Sequence, residues 1–252
     1  MLLSYFDNQN PGPAILFIHG TASSNEIWEK QYDLLSKLNY RLIGIDLRGH
    51  GGSINPGGVC TIEEHINDLK ETIDSVKITA PLTIVGHSFG AVLALKLAER
   101  HPELIEKLLL VSLPPRIPEI LKKYYNWLLG KPVEFIKKKI NLILKLPLKK
   151  RYRLAVTSDI NIIRQIVRDL VKCDFINSVP KVRCPVYLSV GRFDYVALKS
   201  QIKRLHNELP NSSYKVFNWA SHCCMEDQPH EFNKWILTAL ALPFIHHGIG
   251  QI

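Results

Sequence analysis

Ser88, Asp194 and His222 are three residues whose types and order could perform acyl transfer. Ser88 lies in Gly86-His87-Ser88-Phe89-Gly90, a G-x-S-x-G pattern at the point where an apolar run turns into a helix. A serine hydroxyl is a poor nucleophile at neutral pH, so it needs a general base, and the base needs an orienting carboxylate. Pro81 to Val85 has the look of a buried parallel strand, and Ala91 to Arg100 repeats Ala and Leu at helical spacing until His101-Pro102. A strand that becomes a helix across one residue strains that residue and pushes its side chain into the open. Flanking glycines let the two elements approach. The competing reading is a glycine-rich turn with an incidental serine. Taken singly, Asp194 could be a loop or N-cap carboxylate, and His222 is one of ten histidines. Together they fall in the order Ser, Asp, His, each just beyond an apolar run, as a triad on strand ends requires.

The tetrahedral intermediate of acyl transfer also needs hydrogen-bond donors already in place, and losing one costs on the order of 3 kcal/mol. One candidate is the backbone N–H of Phe89 at the helix N-terminus. The other is expected in His19-Gly20-Thr21-Ala22-Ser23-Ser24, which begins where Ile15 to Ile18 ends. Thr21 is favoured, with Ala22 as the alternative. His19 reads as a structural histidine bracing this loop rather than a second base.

Elements that could position these groups alternate along the chain. Strands are expected at 14–19, 40–46, 81–85, 105–112, 186–191 and 214–219, separated by helices at 27–38, 62–76, 91–100, 198–209 and 231–242. Such alternation implies right-handed crossovers and a mainly parallel α/β sheet covered by helices on both faces, with ligand-binding loops gathered at the carboxyl edge. Segment 114–180 breaks the pattern. It contains no clear strand and reads as helices near 117–129, 132–146, 150–156 and 161–173, so it is expected to form an all-helical cap inserted between two strands. The core would then be 1–113 and 181–252.

Charge separates the same two parts. The chain of 252 residues carries a net +9, yet 114–180 alone holds 15 Lys/Arg against 5 Asp/Glu, leaving 17 against 18 elsewhere. Lys122-Lys123, Lys137-Lys138-Lys139 and Lys149-Lys150-Arg151 are interleaved with aromatic and aliphatic residues. These lysines could simply solvate the outer face of the cap while its apolar face roofs the pocket. An acidic protein partner ranks next, then a membrane surface. Nothing resembles a nucleic-acid-binding module. The apolar runs are too short to span a bilayer, and the N-terminus has no signal-peptide pattern. Five cysteines without a C-x-x-C pair suggest reduced thiols and a cytoplasmic location. Cys223-Cys224 beside His222 lacks a second ligand pair, so no metal or other cofactor is expected.

With these motifs assembled, the chain resembles the α/β-hydrolase superfamily, and within it the compact capped serine esterases. The resemblance runs from about Ala14 to Leu240. It is carried by His19-Gly20, by Asp46-Leu47-Arg48-Gly49-His50-Gly51-Gly52-Ser53, by the elbow at Ser88, by Gly191-Arg192-Phe193-Asp194, and by His222 followed by Asp227 and Pro229. It implies Ser88 as nucleophile, His222 as general base and acid, Asp194 as orienting acid, and 46–53 as a structural loop near the site. It also implies a sheet trimmed to seven strands. Ser221 stands where the family usually has glycine, and Ala197 where proline is frequent. In size and layout the chain is similar to pimeloyl-acyl-carrier-protein methyl ester esterases, which implies an acyl carrier protein as the acidic partner. The expected activity is cleavage of carboxylic esters in an apolar pocket lined by the cap and Phe89. A carrier-bound ester or thioester is the alternative substrate, and a non-catalytic binding protein on the same fold is the alternative class.

Overall fold

The computed structural model describes residues 1–78, 81–132, 135, 154, 157–175 and 181–241. Short β-prone runs build a single sheet from Tyr5–Asp7 (β1), Ala14–Ile18 (β2), Arg41–Ile45 (β3), Leu82–His87 (β4), Ile105–Val111 (β5), Val186–Gly191 (β6) and Ser212–Phe217 (β7). Its order is β1-β3-β2-β4-β5-β6-β7, with β1 antiparallel to β3 and the other pairs parallel. The seven-stranded, mainly parallel sheet agrees with the expectation. Strand β1 is absent from the strands expected above, because three largely exposed residues carry no burial pattern to read.

Alternate residues of the central strands serve opposite faces, as the two-residue period of a strand demands. Leu16 and Ile18 of β2 join Ile84, Leu108 and Leu110 in one cluster. Ile15 and Phe17 join Val85, Leu109 and Val111 in the other. Helices Ile62–Ser75 (α2) and Phe89–Arg100 (α3) cover the first face, together with Lys199–Glu208 (α6). The second is covered by Glu29–Leu35 (α1) and Pro229–Ala241 (α8), with Trp28 and Phe232 fully buried beneath them. Thr61 starts α2 with a reciprocal capping box to Glu64, so the sequence fixes that helix end locally.

Strand order decides where a site can form. From β2 the chain moves outward to β3, then returns across β2 to reach β4. The crevice between the carboxyl ends of β2 and β4 is therefore the topological switch point, where α/β sheets bind ligands. The loop after β2 and the turn after β4 both open there.

Between β5 and β6 lie Glu119–Leu129 (α4) and Ile160–Lys172 (α5), close to two of the helices expected in this insert. The others, near 132–146 and 150–156, lie outside the described residues apart from single positions (132, 135 and 154), as do Lys137–Lys139, Lys149–Arg151 and the tail from 242. An isolated bridge between Arg116 and Asp174 joins the two ends of the insert. Asp159 caps α5 through the amides of Asn161 and Ile162, and Ile162, Ile166 and Leu170 form its buried stripe. Among the described residues, no helix is long and apolar enough to cross a membrane.

Candidate active site

Ser88 directly follows β4 and is the N-cap of α3. It has φ 51° and ψ −113°, outside the regions open to an L-residue at low cost. Holding such a backbone costs about 1–3 kcal/mol, so the surroundings must enforce it. The Ser88 N–H donates to the Val111 carbonyl at 2.9 Å, and the Ser88 carbonyl accepts from Ala91 and Val92. The flanking glycines allow the close approach. A Cβ on Gly86 would come within 2.6 Å of the Gly90 carbonyl, and one on Gly90 would collide with the carbonyl oxygens of Ile18 and His19.

His222 reaches the serine from the loop after β7. Its Nε2 is 3.0 Å from Ser88 Oγ, and its Nδ1 is 2.9 and 3.0 Å from the two carboxylate oxygens of Asp194. Asp194 lies after β6, next to β7 in the sheet, which is why residues 28 apart in sequence meet. Burial alone would raise the Asp194 pKa. His222 and the amides of Ala197 and Val196, each donating to Oδ1 at 2.9 Å, outweigh that and hold it below the ordinary aspartate value. The carboxylate is thus kept ionised, and its side chain is fully buried while the imidazole stays partly open. Ser88 and His222 are 134 positions apart in sequence, and the sheet brings them with Asp194 into one chain of hydrogen bonds.

Around His222 the loop is fixed at several points. The Ser221 N–H and hydroxyl both donate to Asp227 Oδ2, at 2.9 and 2.6 Å. His87, fully buried, bonds through Nε2 to the His222 carbonyl at 2.9 Å, so that nitrogen carries the proton and donates. Burial, then the neighbouring His222, pushes its pKa down to about 3. The sequence assigns His87 no role, since its partner is a backbone atom 135 residues away.

The oxyanion candidates sit on either side of the switch point. The N–H groups of Thr21 and Phe89 make no hydrogen bond with another described residue, whereas that of Ala22 donates to His50 Nε2 at 3.0 Å. The Ala22 N–H is thus occupied, while that of Thr21 has no partner among the described residues. His19 braces the loop through both ring nitrogens. Its Nδ1 lies 2.7 Å from the Gly20 carbonyl, and its Nε2 accepts the Leu47 N–H at 3.0 Å. Phe89 departs from expectation in one respect. Its ring is completely buried and packs edge-on against His65 at 5.0 Å, because position N1 of α3 faces α2. Its backbone N–H, not its ring, is the candidate group.

From the insert, α4 brings Tyr125 into electrostatic reach of Asp194 and Tyr195. Its hydroxyl pKa is raised, first by burial and then by those neighbours. Next to the site, Cys224 is buried and its thiol is pushed up to about 12, again by burial first. None of the five cysteines forms a disulfide with another described residue.

Known proteins resemble this chain in sequence and in shape. BODYGUARD 2 of Arabidopsis thaliana, named as a probable lysophospholipase, is 35% identical over 113 residues, covering 43% of this chain. The match spans only 24% of that relative's length. RutD of Escherichia coli O157:H7, named for carbamate hydrolysis, is 24% identical across 93% of both chains. An esterase from Exiguobacterium antarcticum superposes with a TM-score of 0.84 at 21% identity, over 95% of this chain and 96% of its own, and so shares the fold. Residues 13–139 match the alpha/beta hydrolase fold family, half of the chain with the Ser88 elbow inside it. The chain belongs to the alpha/beta hydrolase family.

Proposed function

We propose that this protein is a serine hydrolase that cleaves carboxylic esters through an acyl-enzyme formed on Ser88. The observation that carries the reading is the continuous relay from Ser88 Oγ through His222 to Asp194, each step at 2.9–3.0 Å. His222 Nε2 takes the proton as Ser88 Oγ attacks the acyl carbon, and Asp194 stabilises the imidazolium that forms. The N–H groups of Thr21 and Phe89 receive the developing oxyanion, the latter at the positive end of α3. His222 then returns the proton to the departing alcohol. Water repeats the sequence on the acyl-enzyme and releases the acid.

The name of the Exiguobacterium neighbour as an esterase supports the substrate class. The carrier-protein alternative rests on the charge of 114–180, whose largest lysine clusters lie outside the described residues. A non-catalytic role has less support, because an ionised buried Asp194 and a strained Ser88 serve no packing purpose.

Initial rates on p-nitrophenyl esters from acetyl to dodecanoyl test the proposal, wild type beside Ser88→Ala. Wild-type protein should turn these esters over, with a best acyl length that sizes the pocket. Ser88→Ala should fold normally and lose at least about a thousandfold in kcat. Ester turnover by Ser88→Ala at the wild-type rate would overturn the assignment.

A further inference from the structure

His50 belongs to the loop after β3, and the mechanism above gives it no task. It is nevertheless 1% exposed and spends both ring nitrogens on backbone. Nδ1 lies 2.9 Å from the Arg48 carbonyl, an acceptor only, so Nδ1 carries the proton. Nε2 is thereby left as an acceptor, and it takes the Ala22 N–H at 3.0 Å. Ala22 itself has φ 56°, a left-handed conformation that a non-glycine residue holds only under constraint.

We propose that His50 is a positioning residue for the oxyanion hole: by holding the Ala22 N–H it fixes the Thr21–Ala22 peptide, while His19 holds the Gly20 carbonyl on the other side of Thr21, and with both flanking peptides fixed the Thr21 N–H is aimed at the carbonyl attacked by Ser88. The proposal rests on the serine-hydrolase reading above. Two features make the arrangement more than general packing. First, the bond goes to the one amide of the loop that competes with Thr21 as a donor, so it removes the wrong donor and orients the right one. Second, the loop carrying His50 is itself anchored. Asp46 accepts from the Asn25 N–H and side chain at 2.7 and 2.9 Å and from the Gly52 N–H at 2.8 Å, while the Ser53 hydroxyl donates to the Asp46 carbonyl at 2.6 Å. His19 ties Gly20 to Leu47 alongside, its ring 5.2 Å from that of His50. Two neutral imidazoles thus bolt the loop after β2 to the loop after β3. A preorganised donor is worth most when it does not have to reorient during the reaction.

The test compares wild type with His50→Leu and His50→Gln. Leucine fills the volume without an acceptor, and glutamine places an amide oxygen near the Nε2 position. Readouts are kcat and KM on the best p-nitrophenyl ester, the inhibition constant of a trifluoromethyl ketone that forms a tetrahedral oxyanion on serine, and near-ultraviolet circular dichroism. His50→Leu should lose on the order of 10-fold to 100-fold in kcat with little change in KM. Its affinity for the ketone should fall by a similar factor, and His50→Gln should recover a large part of both. If His50→Leu does not fold, His50→Gln decides: folded protein with near wild-type kcat and ketone affinity supports the proposal, and equal loss of both overturns it. Folded His50→Leu with kcat within twofold of wild type also overturns it, as does a loss that appears in KM alone. Failure of the underlying reading looks different, since wild-type protein would then not be labelled at Ser88 by a fluorophosphonate.

Discussion

Ala197 stands where a proline is frequent in capped serine esterases, and its N–H donates to Asp194 Oδ1 at 2.9 Å, a bond proline could not make. Ser221, in place of the usual glycine, donates twice to Asp227. The Ala197 amide and the Ser221 hydroxyl are donors that proline and glycine would lack, and they help to fix Asp194 and the loop of His222. At this scale Asp194 sets the tautomer of His222, because an ionised carboxylate only accepts, and so keeps the proton on Nδ1 and the lone pair on Nε2 facing Ser88. Asp194→Asn should leave the fold intact and lower kcat by about 1,000-fold to 10,000-fold, with KM nearly unchanged. Steady-state kinetics on the ester used for wild type checks this; an Asp194→Asn protein within tenfold of wild type would remove Asp194 from the relay. Ser88, Asp194 and His222 were legible in sequence because each combines a reactive type with a strand end. His50 and His87 were not, because their partners are backbone atoms that no side-chain pattern announces.

At the scale of elements, the site depends on how closely α3 approaches the end of β2. Gly90 has no room for a Cβ beside the carbonyls of Ile18 and His19, so that contact sets the distance between the Ser88 turn and the Thr21 loop. Gly90→Ala must push α3 away from β2. Overpacking of this kind costs about 1–3 kcal/mol, and the displacement separates the Thr21 and Phe89 N–H groups, the proposed oxyanion donors. The urea midpoint should fall and kcat should drop at least about tenfold; unchanged values for both would show that α3 can shift without consequence. Central strands and long helices were readable because burial imposes their periods. The β1 edge strand and the four-residue helix Cys224–Asp227 (α7) were not, being too short to show one. The fold of 114–180 beyond α4 and α5 stays an expectation of the sequence.

For the whole molecule, the unusual feature is the number of histidines buried near one crevice. His19, His50, His65 and His87 are all at most 4% exposed. Burial, the first cause in each case, lowers the pKa of every one, to about 3 for His65 and His87. In the unfolded chain they titrate near the ordinary histidine value of 6.5. Each depressed value means that the unfolded state binds a proton the folded state refuses. Their stabilisation is fully present above that unfolded value and is lost as pH falls from it toward the folded values. Each fully shifted histidine contributes a slope of about 1.4 kcal/mol per pH unit within that window. Asp194, held low in the fold, adds a further loss at still lower pH. Urea unfolding between pH 7.5 and 5 should therefore show a steep fall in stability, and His65→Gln should lower the slope by about one histidine's share. A flat profile over that range would mean that these imidazoles are protonated in the folded protein.

Residue types, their order and the apolar periods were enough to determine an α/β sheet, a serine at a strand-to-helix turn, and an aspartate and a histidine just beyond later strands. These are properties of neighbouring residues, governed by local backbone geometry and one- or two-element burial. Which amide of the loop after β2 is already hydrogen-bonded, which histidines hold the loops and which way the Phe89 ring points were decided only when the distant elements came together. Hydrogen bonds between a side chain and a distant backbone group leave no pattern in the sequence. They are selected by the tertiary structure, because only there does burial reward a polar group for pairing with whatever partner lies within reach.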